Sequence, residues 1–289
     1  MTALRDLARA KLNLTLEVLG RRPDGFHEVR SLVAFAAFGD DLELAPGDDL
    51  DLEVEGPFAA ALSGDNLILE AASAARRRVP NLRLGRFRLR KVLPVAAGLG
   101  GGSADAAAAL RLIARANPGL VPEAALAELA PKLGADVNVC LKSRPALIAG
   151  RGETVETVSG FPSCGIVLVN PGRALSTQSV YAALRAEPLG VLPRHPEEGL
   201  DFHRDFDALL TYALPRGNDL ETPASDLVPE IRGVLAALAS LQGVRLARLS
   251  GSGPTCFALL ATEEEAKEAA ALLAAAHPAW WIAAGALEV

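Results

Sequence analysis

The sequence predicts an α+β fold in two domains, on three observations. Several segments alternate apolar and polar residues with the period of a half-buried strand. Others carry apolar residues over several helical turns with few breakers. The two kinds are interleaved along 289 residues, enough for one large or two modest domains. Half the residues are apolar and 22% are charged, so the chain can bury a substantial core and is not a disordered one. A Gly/Pro/Ser-containing turn around Phe161-Pro162-Ser163 sets the boundary, giving an N-terminal domain over 1–160 and a C-terminal domain over 161–289.

Taken in chain order, Ala10 to Leu16 reads as a strand with Lys11, Asn13 and Thr15 on one face. Leu42 and Leu44, then Leu50, Leu52 and Val54, alternate with Asp41, Glu43, Asp49, Asp51 and Glu53, the pattern of half-exposed antiparallel strands. A helix is expected from Asn66 to Arg78, after Asp65. Leu82 to Lys91 alternates again around a register break at Gly85 and presents Arg83, Arg86, Arg88 and Arg90 on one face. Helices are expected over Ser103–Ala116, with Ser103 as N-cap, and over Pro122–Ala130. After the turn at 161–163, Ile166–Val169 has the look of a buried strand. The stretch Pro188–Arg204, with three prolines and two glycines, reads as a surface excursion. Two further helices, Asp226–Leu241 and Glu263–His277, flank a strand over Val244–Arg248.

Charge and cysteine usage narrow the function classes. A formal net charge of −6 repels a polyanion, which argues against a nucleic-acid partner. Cys140, Cys164 and Cys256 lie far apart, without zinc-ligand spacing, as expected of reduced thiols in a cytoplasm. Met1 to Leu12 lacks a continuous apolar core of the kind that directs secretion. No apolar run reaches the ~20 residues that span a bilayer, so no membrane partner is expected.

Four short segments could carry chemistry. In Leu93-Pro94-Val95-Ala96-Ala97-Gly98-Leu99-Gly100-Gly101-Gly102-Ser103, a strand runs into an Ala-rich helix through four glycines in five positions. Glycine permits a sharp turn and close ligand approach, and the open N–H groups of the following helix start attract phosphate. A bare Gly-rich turn is the alternative. The segment lacks the Gly-Lys-Ser/Thr of a P-loop, and Ser103 stands where a dinucleotide-binding turn needs its third glycine. A nucleotide here must therefore be met by backbone amides, a divalent ion and a cation from elsewhere in the fold. Lys11 is one such cation, unless it is merely solvated. Asp136, in Gly134-Ala135-Asp136-Val137, either caps the next element or orients a substrate hydroxyl during phosphoryl transfer. Ser250-Gly251-Ser252-Gly253 either makes an ordinary turn or admits a ligand closely.

Lys11 near the start, Pro94 to Ser103 and the late Ser250–Gly253 loop together resemble, in order and over nearly the whole chain, the three motifs of the GHMP kinases. Four further segments, Ala10-Lys11-Leu12-Asn13-Leu14, Arg22-Pro23-Asp24-Gly25-Phe26-His27-Glu28, Asp65-Asn66-Leu67-Ile68 and Leu133-Gly134-Ala135-Asp136-Val137, narrow the likeness within that superfamily. They resemble the branch that phosphorylates the 2-hydroxyl of 4-diphosphocytidyl-2-C-methyl-D-erythritol, in the non-mevalonate route to isoprenoid precursors. The Asp-Gly-aromatic-His element discriminates.

The resemblance implies an N-terminal domain similar to ribosomal protein S5 domain 2, a ferredoxin-like C-terminal domain, and an active site in the cleft between them. ATP would be the phosphoryl donor, with Mg²⁺, and a cytidyl diphosphate the small-molecule acceptor. Carried over, Pro94, Val95, Ala96, Ala97, Gly98, Leu99, Gly100, Gly101, Gly102, Ser103 and Ala104 would wrap the ATP phosphates, with Asn66 near the adenine. Lys11 and Asp136 would flank the acceptor hydroxyl as an ion pair that keeps both groups charged. Phe26 and His27 match a stacking ring and a cytosine hydrogen-bonding partner; Tyr181 matches a second ring that could complete a sandwich, and Asn13 and Thr177 match further substrate contacts. Ala96 and Ala97 replace glycines common in the family, and still offer their N–H groups if φ stays negative. Phe26 replaces a common tyrosine and stacks without its hydroxyl. The metal's protein ligands are unassigned, with Ser103 a candidate. Rival readings are a kinase of the same superfamily acting on homoserine, mevalonate or a sugar, a non-catalytic nucleotide sensor, and an anion or RNA binder using the basic strand face.

Overall fold

A computed structural model describes residues 3–62, 64, 66–191 and 199–287. The chain runs β1 (Leu4–Asn13), β2 (Glu17–Arg21), β3 (His27–Ala45), β4 (Asp51–Glu55), α1 (Leu67–Arg78), β5 (Arg86–Arg90), α2 (Gly101–Ala116), α3 (Glu123–Leu133) and α4 (Val137–Lys142). It continues through β6 (Ala146–Gly150), β7 (Thr154–Thr157), β8 (Gly165–Asn170), α5 (Thr177–Leu184), α6 (Phe206–Ala213), α7 (Glu221–Leu227), α8 (Glu230–Ala239), β9 (Leu246–Leu249), β10 (Cys256–Leu260), α9 (Glu263–Ala276) and β11 (Trp281–Ala286). This is the mixed α+β class that the interleaved periodicities predict. The residues group into two discontinuous units. The first holds 1–11, 38–95 and 100–143; the second holds 12–37, 96–99 and 144–289.

In the first unit the C-terminal half of β3 pairs antiparallel with β5, Asp41 opposite Arg90 and Ala45 opposite Arg86. On its other side β5 pairs with β4, and this pairing is parallel, against the antiparallel expectation. The reason is the connection: α1 lies between β4 and β5 in the chain and returns it to the same end, as a crossover helix does. The strand begins at Arg86, four residues after the expected start. Gly85 sits at φ +77, where a β-carbon would collide with the Ala45 carbonyl oxygen, and Leu82 and Leu84 are buried outside the strand. Along β5 the buried Phe87 and Leu89 alternate with exposed arginines. Each arginine meets an acid: Arg86 with Asp51 at 3.3 Å, Arg88 with Glu53 at 3.2 Å, Arg90 with Asp41 at 3.9 Å. The arginines of β5 are therefore compensated by acids of the neighbouring strands on the same face, which weakens the polyanion-binding reading.

Helix α1 begins where expected. Asn66 is its N-cap, accepting from the Ile68 N–H at 2.9 Å, and Arg76, Arg77 and Arg78 complement the dipole in its last turn. Asp65 lies outside the described residues. Packed against α1, α3 and α4, helix α2 buries Ala104, Ala106, Ala107, Ala108 and Ala109. Side chains this small let three neighbouring helices approach closely. Ser103 is not its cap. Gly100, left-handed at φ +62, takes that position and Ser103 is the third helical residue, because the glycines continue the helix three residues farther back than a serine cap at 103 allows. Helix α3 starts after Pro122 and runs through Pro131 to Leu133, beyond its expected end at Ala130.

The second unit contains the N-terminal half of β3, paired with β2 and β6, and a four-stranded antiparallel sheet in the order β11-β8-β10-β9. Every residue of β8 is buried, as the apolar run at 166–169 predicts. Its core packs Val167, Val169 and Leu260 with Ile231, Val234, Leu238 and Leu273 of α8 and α9. At ~1.5–3 kcal/mol for each large apolar side chain buried, such contacts are the main stabilising term of this unit. The expected helix Asp226–Leu241 is in fact two, α7 and α8. They break at Val228-Pro229, where the proline ring is incompatible with continuing the preceding turn. Helix α9 opens with a reciprocal capping box between Thr262 and Glu265. The strand expected over Val244–Arg248 occupies Leu246–Leu249. Within the excursion 188–204, residues 192–198 lie outside the described residues, and Phe202 is buried. No described helix is long and apolar enough to cross a membrane.

Candidate active site

The glycine segment is shaped differently at each of its turns. Val95 and Ala96 are exposed, and Ala96 is left-handed at φ +51, against the expectation of negative φ. This conformation costs an L-residue ~1–2 kcal/mol and is one that glycine adopts freely. Gly98, at φ +75, packs so tightly on the 250–253 turn that a β-carbon would stand 2.3 Å from the Ser250 carbonyl oxygen. Ser250 Oγ donates to the Gly98 carbonyl at 3.0 Å, and the Thr255 N–H donates to the Ala97 carbonyl. The late Ser-Gly turn is thus the bed of the segment's first half, and Ala96 to Leu99 group with the second unit.

From Gly100 the segment belongs to the first unit and becomes the start of α2. The first intrahelical bond runs from the Ala104 N–H to the Gly100 carbonyl at 2.8 Å, leaving the N–H groups of Gly101, Gly102 and Ser103 without a helical acceptor. The first turn carries no acidic residue. Open amides at the positive end of a 16-residue helix, with glycines at its entrance, make an anion site.

Directly against Gly100 lie the two residues expected at the acceptor hydroxyl. A β-carbon on Gly100 would meet Lys11 Cε at 3.2 Å, Lys11 Cβ at 3.3 Å and Asp136 Oδ2 at 3.7 Å. Lys11 Nζ stands 3.1 Å from Asp136 Oδ2. Lys11 is 4% exposed, on the last turn of pleat in β1, so it is not the solvated lysine of the alternative reading. Asp136 occupies the N-cap position of α4, but its side chain makes no capping bond. Its carboxylate faces the ammonium of Lys11 instead.

In the second unit His27, at the start of β3, lies against Tyr181 of α5 with ring centroids 4.7 Å apart and planes at 32°. Burial, and then the charge of Arg21, hold the His27 imidazole below its ordinary pKa, so it is neutral at physiological pH. Phe26 is 57% exposed, and Arg151 lies over its ring at 4.8 Å. The loop that carries these rings is set by Asp24, which accepts from the Phe26 N–H, and by an Arg22–Glu28 pair at 2.5 Å in which Glu28 is fully buried. One face of Phe26 is therefore covered by a guanidinium, and His27 and Tyr181 touch each other. Asn13 donates to Ser31 Oγ at 2.8 Å, and Thr177 shares a 2.8 Å hydrogen bond with Ser252 Oγ. Thr15 is spent on the Leu32 N–H. Asn66 uses its oxygen as a cap and keeps its amide NH₂; it lines a groove of about 860 Å³ with Glu70, Arg77 and Lys132.

Sequence reasoning missed one cluster. Lys91 Nζ lies 2.7 Å from Asp40 Oδ2 and 2.6 Å from Asp105 Oδ2, all three buried. Burial pushes the Asp105 carboxyl up to about 7 against the opposing pull of Lys91. A lysine in a chain with only five, placed at the exit of a strand, was the available signal.

The chain matches the family descriptions "GHMP kinases N terminal domain" over residues 66–144 and "GHMP kinases C terminal" over residues 201–279. It is 50% identical to the 4-diphosphocytidyl-2-C-methyl-D-erythritol kinase of Rhodopseudomonas palustris (strain BisB5), over 99% of this chain and 100% of that one. The crystal structure of a 4-(cytidine 5'-diphospho)-2C-methyl-D-erythritol kinase superposes with a TM-score of 0.78 at 34% identity, covering 99% of this chain and all of the other. A homoserine kinase from Cytophaga hutchinsonii shares the fold, with a TM-score of 0.68 at 16% identity over 99% and 95% of the two chains.

Proposed function

The chain belongs to the 4-diphosphocytidyl-2-C-methyl-D-erythritol kinases of the GHMP kinase family, and from that premise we propose how its own residues carry the reaction. It transfers the γ-phosphoryl group of ATP to the 2-hydroxyl of the cytidyl acceptor, giving the 2-phosphate and ADP, a step toward isoprenoid precursors. The observation that carries the site assignment is the Lys11–Asp136 pair at 3.1 Å, seated against Gly100 at the mouth of the anion-binding helix.

In this proposal the segment Pro94–Ala104 holds the triphosphate on the open amides of α2, and Asn66 offers its NH₂ to the adenine. The acceptor hydroxyl approaches the γ-phosphorus between Lys11 and Asp136. As the new O–P bond forms and the bond to the ADP oxygen breaks, Asp136 orients the hydroxyl and takes its proton. Lys11 offsets the negative charge that grows on the attacking and equatorial oxygens. Positioning and charge, rather than covalent chemistry, supply the acceleration in such transfers. At the nucleotide end the cytosine rests on Phe26 with the neutral His27 as hydrogen-bonding partner and Tyr181 beside it, while Asn13 and Thr177 contact the polyol and diphosphate. Base stacking of this kind contributes ~1–3 kcal/mol.

Mg²⁺ neutralises phosphate charge when bound. It keeps most of its water and takes few protein oxygens beside those of phosphates. Among the described residues no group of three or more His, Cys, Asp or Glu is gathered for a metal. That fits an ion that would be held chiefly by the nucleotide, with the Ser103 hydroxyl as a protein oxygen in the first turn of α2. Three buried thiols without a disulfide fit a reducing, cytoplasmic compartment.

The test is ADP release by the purified protein with ATP and Mg²⁺, offering 4-diphosphocytidyl-2-C-methyl-D-erythritol, mevalonate, homoserine and galactose separately. Turnover of the cytidyl acceptor alone is expected. Turnover of another acceptor would discard the cytosine pocket, and ATP binding without turnover of any would leave a sensor.

A further inference from the structure

The two ends of the phosphate-binding segment are joined by the buried cluster of Lys91, Asp40 and Asp105. Asp40 Oδ1 accepts from the Val92 N–H at 2.6 Å and the Leu93 N–H at 2.9 Å, the last two residues before Pro94. Its other oxygen takes Lys91 Nζ, which also reaches Asp105, immediately after Ala104. Eleven residues, Pro94 to Ala104, lie between these fixed points. Lys91 itself is anchored from both sides of its peptide, its N–H on the Glu55 carbonyl and its own carbonyl accepting from Phe58. The ammonium lies close to the start of α2. A β-carbon on Gly101 would stand 3.2 Å from Lys91 Nζ and 3.8 Å from Asp40 Oδ2.

The charge sum excludes a simpler role. One lysine faces two aspartates, so the cluster is neutral or negative and cannot serve as the cation that draws in a triphosphate. It is 2% exposed at Lys91 and offers nothing to solvent. One Asp105 oxygen, Oδ1, is buried with no hydrogen-bond partner, an arrangement that core packing alone would not favour. Replacing such a buried ionic cluster by apolar side chains is often neutral for stability, so stability does not explain its presence.

We propose that Asp40, Lys91 and Asp105 are positioning residues for the phosphate segment. They close its neck and fix the amides of Gly101–Ser103 in the orientation that the nucleotide needs. The inference rests on the reading of Pro94–Ala104 as the ATP site.

Steady-state kinetics on the full chain test it. Lys91→Met/Asp105→Leu removes one positive and one negative group together, leaving the Asp40 bonds to Val92 and Leu93. The KM for ATP should rise by ~10-fold or more, while the KM for the cytidyl acceptor stays within about twofold. Asp105→Asn, which keeps a bond to Lys91, should retain the wild-type KM for ATP. A folded double variant with an unchanged KM for ATP overturns the proposal. Hydrogen exchange on the wild-type protein decides independently of any variant's folding. The Val92 and Leu93 amides should be as protected as those of β5, and exchange as fast as at Val95 and Ala96 would refute the clamp. If the wild type releases no ADP with any acceptor, the functional reading fails, and this exchange pattern still decides whether the neck is closed.

Discussion

Alanine at Gly98 and alanine at Gly100 should damage the protein in opposite ways. Both positions are left-handed, at φ +75 and +62, so each substitution costs ~1–2 kcal/mol in backbone energy. Their surroundings differ. At Gly98 the new β-carbon meets backbone: the Ser250 oxygen at 2.3 Å, Gly253 N at 2.8 Å and Gly253 O at 3.0 Å. The 250–253 turn must move, an overpacking that adds ~1–3 kcal/mol. A total near 3 kcal/mol lowers the melting temperature by roughly 6–12 °C, at ~2–4 °C per kcal/mol for chains of this size class. At Gly100 the β-carbon meets the flexible stem of Lys11 at 3.2 Å, which can give way. Stability then falls by little more than the backbone term, but the ammonium is displaced from Asp136. A displacement on the order of 1 Å at a reacting group costs ~100-fold in rate. Thermal melting and kcat per folded molecule, measured on both variants, separate the effects. A Gly100→Ala enzyme with kcat near wild type, or a Gly98→Ala protein that melts normally, would refute this account of the loop.

Three other outcomes follow from the same geometry. Lys11→Met and Asp136→Asn should each lower kcat by ~10²–10⁴-fold. The double variant should be little worse than either, and additive losses in a double-mutant cycle would argue against the pair acting as a unit. Ala96→Gly should raise the melting temperature slightly, relief of the left-handed strain outweighing the ~0.5–1 kcal/mol that glycine costs through the unfolded chain; a clear drop in differential scanning calorimetry would contradict it. His27 is held below its ordinary pKa, so the unfolded chain binds the more protons between that lowered value and ~6.5. Stability and acceptor binding should therefore rise with pH through this window and fall on acidification. Urea unfolding at pH 5 and 7 should show a smaller difference for His27→Gln than for wild type.

Where the sequence was legible, one local signal was enough. Alternation alone identifies β4 and β5, and an apolar pattern over several turns with few breakers announces α9. What failed needed knowledge of neighbours. The parallel pairing of β4 with β5 depends on which way α1 returns the chain, and strand periodicity is identical in either direction. Helices α4, α5 and α6, of six to eight residues, are too short to show a period. The break at Pro229 was visible, and an apolar pattern spanning it concealed it. In the site, Lys11 and Asp136 were individually ambiguous. The resemblance paired them as an expectation, and the fold supplies the geometry, a lysine on β1 and an aspartate heading α4 at 3.1 Å. The Lys91 cluster was hidden for the same reason, since Asp40, Lys91 and Asp105 come from three separate elements.

The outermost strand of the first unit bears on how the protein behaves in crowded solution. Among the described strands β4 pairs with β5 alone, so its other side presents unpaired amides and carbonyls. Such an edge invites a second molecule to add its own strand. Here Asp51, Glu53 and Glu55 line it, exposed, the first two paired with Arg86 and Arg88 of β5, and another copy docking edge to edge would bring acids beside acids. With a formal charge of −6 on the whole chain, that repulsion is not offset at a distance either. The acidic rail therefore disfavours the addition of a second copy along this edge.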